Sequence, residues 1–112
     1  MKARYVQRGE SIDYTPEADV AAGDIVKLGK LIGVAKLDIK ASELGALALV
    51  GVYEIATGGM AVNAGDLVSV DPATGKACAD GAAGAVKFGH AVSSATASDA
   101  AVLVRLQQGL DR

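Results

Sequence analysis

The sequence is poor in the residues that usually fill a protein core. It has no tryptophan and one phenylalanine, and aromatic residues make up only 4% of the chain, although 51% of its 112 residues are hydrophobic, many of them alanine. The 14 glycines also add backbone entropy that folding must remove. We therefore predict a thin core in one β domain, residues 1–112, that associates with further copies of itself or with a larger partner.

The sequence also has a single cysteine and no large excess of positive or negative charge. Cys78 is the only cysteine, which excludes an intramolecular disulfide and a cysteine-based metal site. The net charge is −2 and the lysines and arginines are scattered, so the broad cationic surface that nucleic-acid binding needs is missing. No apolar run approaches the ~18 residues of a membrane span, and the N-terminus lacks the apolar segment of a secretion signal. We expect a protein made in the cytoplasm, with no nucleic-acid or membrane partner.

An internal repeat is present instead. VAAGDIV at 20–26 is matched by VNAGDLV at 62–68, and each copy is followed by a Gly-x-Ala and then by Ala-Ser-acid, in the order GVA and ASE, then GHA and ASD. Glycine tolerates positive φ and aspartate caps its own backbone, so we interpret both Gly-Asp pairs as turns leading into strands. These structural turn residues are Gly23, Asp24, Gly65 and Asp66.

The repeat predicts an all-β fold, a small barrel or sandwich with a weak twofold repeat over about 20–55 and 62–106. ASELGALALV alone is compatible with a helix, but Val50 and Val52 around Gly51, with Gly45, favour a strand with a bulge or bend. Turn residues recur about every 8–12 positions. We expect eight or nine short strands, near 4–7, 11–15, 24–29, 31–36, 46–56, 66–71, 76–79, 87–93 and 101–107. Residues 1–19 would form an N-terminal arm and the first strands, and 71–86 a hairpin and loop inserted in the second copy.

The stretch DPATGKACADG, residues 71–81, allows two interpretations because it contains a Gly-Lys pair after an apolar run. A phosphate-binding loop needs a glycine five positions before that pair and a serine or threonine directly after it. Val70 and Ala77 stand at those two positions. The alternative function, a nucleotide-binding or recombinase-related protein that uses Gly75 and Lys76, would therefore need a phosphate site of another kind.

A β-hairpin suits the same stretch better. Pro72 sets φ for the second position of a turn, and Gly75 accepts the left-handed conformation before a return strand. We predict a hairpin tip with Lys76 on the returning strand.

The other chemistry-bearing residues form no convincing catalytic set. His90 could pair with Ser93, Ser94 or Asp99, but Val34 takes its place in the first copy, which favours an ordinary strand site. The carboxylates near the N-terminus have neither a histidine nor a metal-binding spacing, and we interpret them as a solvated turn; they are Glu10, Asp13, Glu17 and Asp19. Cys78 suits a small buried position, with nothing nearby that would lower its pKa. We predict no enzyme activity, no cofactor and no metal.

A set of short segments runs in order through nearly the whole chain: YVQRG, SIDYT, DVAAGDIV, LIGVA, ALVGVYEI, NAGDLVSVDPATGK, GHAV and VLVRL. In this order they resemble the small capsid cement, or head decoration, proteins of tailed bacteriophages and prophages, some of whose relatives carry a recombinase-like label. The resemblance implies a virion protein on the capsid surface that bridges major capsid protein subunits, as a homo-oligomer in which a trimer is favoured over a dimer. A glycan-binding β module displayed on the virion is a further alternative.

The start of the chain is locally basic and suits a contact with such a partner. Three cations lie within MKARYVQRG before the first acid, together with a tyrosine. Our candidate capsid contacts are Lys2, Arg4, Tyr5 and Arg8; alternatively, the segment is a solvated terminus or simply begins the first strand.

Overall fold

The computed structural model describes residues 2–110, and in this range the chain forms nine β-strands. They are β1 (Ser11–Tyr14), β2 (Ile25–Leu28), β3 (Leu31–Ala35), β4 (Gly45–Ala48), β5 (Val52–Ala56), β6 (Leu67–Asp71), β7 (Lys76–Cys78), β8 (Val86–Ala91) and β9 (Ala101–Leu106). The all-β class predicted from the sequence is confirmed.

The strands are divided between an open sheet and a closed barrel. The sheet is antiparallel, in the order β1-β4-β3-β2, and the barrel has the order β5-β7-β6-β8-β9. In the barrel β5 pairs with β9 from Val52↔Arg105 to Ala56↔Ala101, and a short parallel pairing of β5 with β7 closes the ring. One half of the molecule therefore ends in two free strand edges, on β1 and β2, whereas the other half has none.

Strand order and hydrogen bonds show that the two halves are copies of one unit. The order β1-β4-β3-β2 in the sheet corresponds to β5-β9-β8-β6 in the barrel. The Gly23 N–H donates to the Ala35 carbonyl at 2.6 Å, and the Gly65 N–H donates to the Ala91 carbonyl at 2.8 Å. Isolated bridges join Val20 to Ile39 and Val62 to Ala95. The repeat thus includes β1, which precedes the predicted first copy at 20–55, and β5, most of which that prediction assigned to the first copy although it begins the second.

The second copy differs from the first by an insertion between β6 and β8. Val20 and Val62 are 42 residues apart, whereas Ala35 and Ala91 are 56 apart, so the second copy holds 14 extra residues. This insertion contains β7, which pairs with β6 along Ser69↔Cys78, Val70↔Ala77 and Asp71↔Lys76. The inserted hairpin therefore supplies the strand that closes the barrel.

Two of the strand predictions are wrong. No strand forms at 4–7, because no strand in the described part of the chain pairs with it, and Tyr5 and Val6 are exposed. The segment 46–56 is not one strand with a bend. It is divided into β4 and β5 around Gly51, whose φ of +126° is costly for other residues and turns the chain from the sheet into the barrel.

The core is continuous across the barrel and one face of the sheet. Phe88, Val70, Val102 and Val104 are fully buried inside it, and Ile32 of the sheet joins the same cluster. Each such side chain contributes about 1.5–3 kcal/mol on burial. The other face of the sheet carries a smaller cluster of three buried residues, Ala35, Ile39 and Leu47, against partly buried Ile12, Tyr14, Val20 and Val26.

Gln108, just after β9, also ties the barrel to the sheet. Its Oε1 accepts the Ile32 N–H at 3.0 Å, and its Nε2 donates to the carbonyls of Ile32 at 2.6 Å and Leu49 at 3.1 Å. A half-buried amide that makes three bonds to backbone groups at once fixes the position of one half against the other.

Candidate functional site

The N-terminal arm, residues 2–10, lies on the surface ahead of β1. Tyr5 and Val6 are 78% and 76% exposed, and the cations Lys2, Arg4 and Arg8 are exposed as well. Arg8 contacts Glu10 at 3.2 Å, but both side chains are solvated, so this pair holds the arm only weakly. The aromatic and cationic side chains of the arm are therefore exposed to solvent.

A groove of about 440 Å³ opens between the ends of β1 and β2, the two free edges of the sheet. Its apolar lining comes from Tyr14, Pro16, Val20 and Leu28, together with Thr15 and Ala18, and its acidic lining comes from Glu17 and Asp19. No sequence motif predicted this groove. The signal that could have found it is the 14-residue insertion, because the segment that closes the second copy is absent from the first.

A second exposed apolar surface lies on the connection between β3 and β4. Leu37 and Leu44 are 78% and 70% exposed and line a cavity of about 350 Å³ with residues of β1 and β4. Large exposed leucines that share a concave surface mark contact sites more often than single exposed ones do. We call this surface the leucine patch.

The two Gly-Asp turns are built in the same way. Gly23 and Gly65 both have φ of +91°, and Asp24 and Asp66 each accept a backbone N–H three residues earlier, from Ala21 at 3.0 Å and Asn63 at 2.9 Å. Both carboxylates therefore serve turn geometry.

Residues 71–78 form a hairpin whose loop amides are occupied within the turn. The Asp71 carboxylate accepts the Ala73 N–H at 3.0 Å, and the Asp71 carbonyl accepts the N–H groups of Thr74 at 3.1 Å and Gly75 at 2.7 Å. Gly75 has φ of +73°. Amides that bond to the loop's own aspartate are not directed at a phosphate, and Lys76 lies exposed at the start of β7.

Comparison with known proteins identifies the family. A profile of phage cement proteins matches residues 6–106, from the arm to the last strand. The chain belongs to the phage cement protein family. No curated protein and no solved structure matches the chain. Membership confirms the resemblance seen in the sequence and makes this a structural, capsid-associated phage protein. Lys2, Arg4 and Tyr5 precede the matched region, so the family match does not extend to those candidate contacts.

His90 and the polar residues that follow it in the sequence each have a different hydrogen-bond partner. The His90 Nδ1 is hydrogen-bonded to the Gln107 Oε1. The Ser93 Oγ accepts the Leu103 N–H at 3.2 Å, the Ser94 Oγ accepts the Ala64 N–H at 3.0 Å, and Asp99 accepts the Thr96 N–H at 2.7 Å. None of these bonds links a nucleophile to a base.

The carboxylates near the N-terminus are likewise dispersed. Asp19 accepts the Ala41 N–H at 2.8 Å, and Glu10 faces Arg8. Within residues 2–110 no group of three or more His, Cys, Asp or Glu side chains is placed to hold a metal ion. The same residues include no helix long and apolar enough to cross a membrane.

Cys78 is half-buried at the end of β7. Burial raises the pKa of its thiol, and the nearby carboxylates of Asp71 and Asp80 raise it further. Asp80 also accepts a hydrogen bond from the buried Ser69 Oγ at 3.1 Å, which holds the inserted loop against β6. A thiol whose pKa is raised is a poor nucleophile at neutral pH.

Proposed function

We propose that this protein binds the outer face of the assembled phage head and stabilises the contacts between major capsid protein subunits, without enzymatic activity. The observation that carries the proposal is the family match, which spans every strand from β1 to β9. Occupied turn amides at Lys76 and separate partners for His90 and the nearby serines agree with a structural role.

The mechanism is the preferential binding of one shell state. A ligand that binds only the expanded head stabilises that head by mass action, and many copies on a symmetric lattice multiply a weak contact. The protein itself needs only a rigid body and exposed contact surfaces. The barrel and the core that it shares with the sheet provide the rigid body.

Two exposed surfaces are our candidates for contact with the shell. The first is the basic arm, with Lys2, Arg4, Tyr5 and Arg8, whose cations suit acidic neighbours. The second is the leucine patch, which would bury apolar area on docking at about 25 cal/mol per Å². We further propose that the bound form is a homo-oligomer, with a trimer favoured by the resemblance to head decoration proteins.

Heads that lack this protein provide the direct test. Purified protein added to expanded heads should bind saturably, as measured by co-sedimentation, and should raise the temperature at which the heads release DNA. Binding to unexpanded heads should be much weaker. Failure to bind expanded heads would contradict the proposal.

Surface variants then separate the two contacts. Leu37→Ser with Leu44→Ser should weaken head binding about tenfold or more, since each leucine loses on the order of 1–2 kcal/mol of apolar contact. Leu103→Ser, at a less exposed leucine on the barrel, is the control and should bind as the unaltered chain does. Equal binding by all three proteins would remove the leucine patch from the interface.

A further inference from the structure

The open groove of the first half has a filled counterpart in the second half. In the barrel, β7 lies between β6 and the end of β5, with Ala77 opposite Val70 and Lys76 opposite Ala56. The fit is close, because a Cβ added to Gly58 would lie 2.7 Å from the Ala77 carbonyl oxygen. The groove between the ends of β1 and β2 lacks such a strand. The repeat therefore indicates what shape of occupant fits it: one short extended segment.

The two edges that flank the groove can hold such a segment. β1 pairs only with β4 and β2 only with β3, so the outer backbone groups of both strands have no ladder partner in the described chain. Unpaired edges are templates for an added strand. The apolar lining of Pro16, Val20 and Leu28 would cover one face of that strand, as the core covers β7.

The N-terminal arm has the sequence of a strand without a partner. In an extended conformation Ala3 and Tyr5 point to one side, and the three cations Lys2, Arg4 and Arg8 point to the other. The arm begins Lys-Ala, as β7 does, and β7 also places a small residue inward between more exposed neighbours. The acidic groove lining, Glu17 and Asp19, complements the charge of the arm.

We propose that residues 2–8 of a second copy of this chain bind in the groove as an added strand, parallel to β1 and antiparallel to β2, in the place that β7 takes in the barrel. The chain's own arm is poorly placed to do so. The Leu49 N–H bonds to the Glu10 carbonyl at 2.8 Å, so the arm leaves the sheet at the Ser11 end of β1, whereas the groove lies at the Tyr14 end. Folding back would also make the arm antiparallel to β1, unlike β7 against β5.

This contact rests on the proposed capsid role and replaces the capsid contact proposed for the arm, because it makes a neighbouring copy on the same head the acceptor of the arm. Because the arm of one copy enters the groove of the next, the interface is heterologous, and it can close into a ring in which every groove is filled. Its test needs no capsid, so a failure here and a failure of head binding are distinguishable.

Disulfide trapping between purified chains tests the contact. In a Cys78→Ala background, a Tyr5→Cys chain carrying a size tag is mixed with an untagged Leu28→Cys chain under oxidised glutathione. The cross-linked pair should form at least about ten times faster than with a Leu103→Cys chain, because docking raises the effective concentration of the two thiols. Leu28 and Leu103 are each 43% exposed, which makes them a matched pair. Ala18→Cys, in the loop that lines the groove, provides a second acceptor.

Equal rates at groove and control positions would overturn the inference. So would a Tyr5→Cys, Leu28→Cys double variant that forms its disulfide within one chain only, since the arm would then fill its own groove. Reversal of the groove charges with Glu17→Lys and Asp19→Lys should slow trapping at Leu28→Cys, and restoration of the rate by Lys2→Glu and Arg4→Glu would identify the charge pairing.

Discussion

The open sheet and the closed barrel are two outcomes of nearly the same sequence plan. Both halves have the same strand order, the same Gly-Asp turn and the same Gly-x-Ala strand. They differ by 14 residues that carry β7. The half with the insertion closes and has a shared core around Phe88, whereas the half without it keeps two free edges and an acidic groove. One short strand thus accounts for the difference between a closed half and a half with two free strand edges and an open groove.

The greatest loss of stability is expected from a substitution in the core of the closed barrel. Phe88→Ala should lower the free energy of unfolding by about 3–5 kcal/mol, because a fully buried aromatic leaves a cavity that the barrel cannot fill. It also removes the edge-to-face contact of Phe88 with Tyr53, whose ring centroids are 6.1 Å apart. Urea denaturation measures the change.

The open half supplies the comparison for that variant. Ile12→Ala, at a partly buried position of the small cluster, should cost only about 1 kcal/mol, since part of its surface is already in water. Similar losses from Phe88→Ala and Ile12→Ala would show that closure does not make the barrel the more stable half.

Gly33 and Gly89 occupy equivalent positions in the two copies, at the start of each Gly-x-Ala segment. A Cβ at Gly89 would lie 1.7 Å from the Arg105 carbonyl oxygen, whereas a Cβ at Gly33 would meet the Leu47 Cβ at 2.9 Å. Gly89→Ala should therefore destabilise by roughly 3 kcal/mol or more and Gly33→Ala by about 1–2, because an overlap at 1.7 Å with a backbone oxygen requires a larger shift of the neighbouring strand than a contact at 2.9 Å does. Thermal unfolding of the two variants measures the difference. A larger loss from Gly33→Ala than from Gly89→Ala would contradict tighter packing in the barrel.

The Gly-Asp turns should behave alike in both halves. Asp24→Ala and Asp66→Ala each remove one carboxylate that accepts a turn N–H, at a cost of about 1 kcal/mol. Asp24→Asn and Asp66→Asn keep an acceptor oxygen and serve as controls. A loss confined to one half would mean that the turns are not equivalent.

The smallest effect concerns Cys78, where we expect altered reactivity without altered stability. Its raised pKa lowers the thiolate fraction, so at pH 8 iodoacetamide should modify it more slowly than Tyr5→Cys in a Cys78→Ala chain. The difference should shrink as pH rises above the thiol pKa values and both groups ionise. Faster modification of Cys78 than of the arm cysteine would contradict its placement on β7.

The repeat made most of the fold predictable from the sequence. Matching VAAGDIV with VNAGDLV identified the turns, and Val50, Val52 and the nearby glycines favoured strand over helix after ASELGALALV. Two features were not predictable in this way. Division of 46–56 depends on which sheet each side of Gly51 joins, and the absence of a strand at 4–7 depends on whether any partner exists. Both depend on pairing between distant segments, which the local residue pattern does not predict.

The site was less predictable than the fold. The hairpin at 71–78 follows from Pro72 and Gly75, and the exposed arm agrees with its charge pattern. The groove and Gln108 were missed, because one is defined by a segment that the first copy does not have and the other by contacts across more than 50 residues of chain.

A high-resolution reconstruction of expanded heads decorated with the purified protein tests the central claim most directly. We predict density for the protein on the outer face of the head, with an extra strand between β1 and β2 of each copy and none added to the barrel. Decorated heads with that groove empty in every copy would contradict the proposed contact of the open half. Undecorated heads would contradict the capsid role itself.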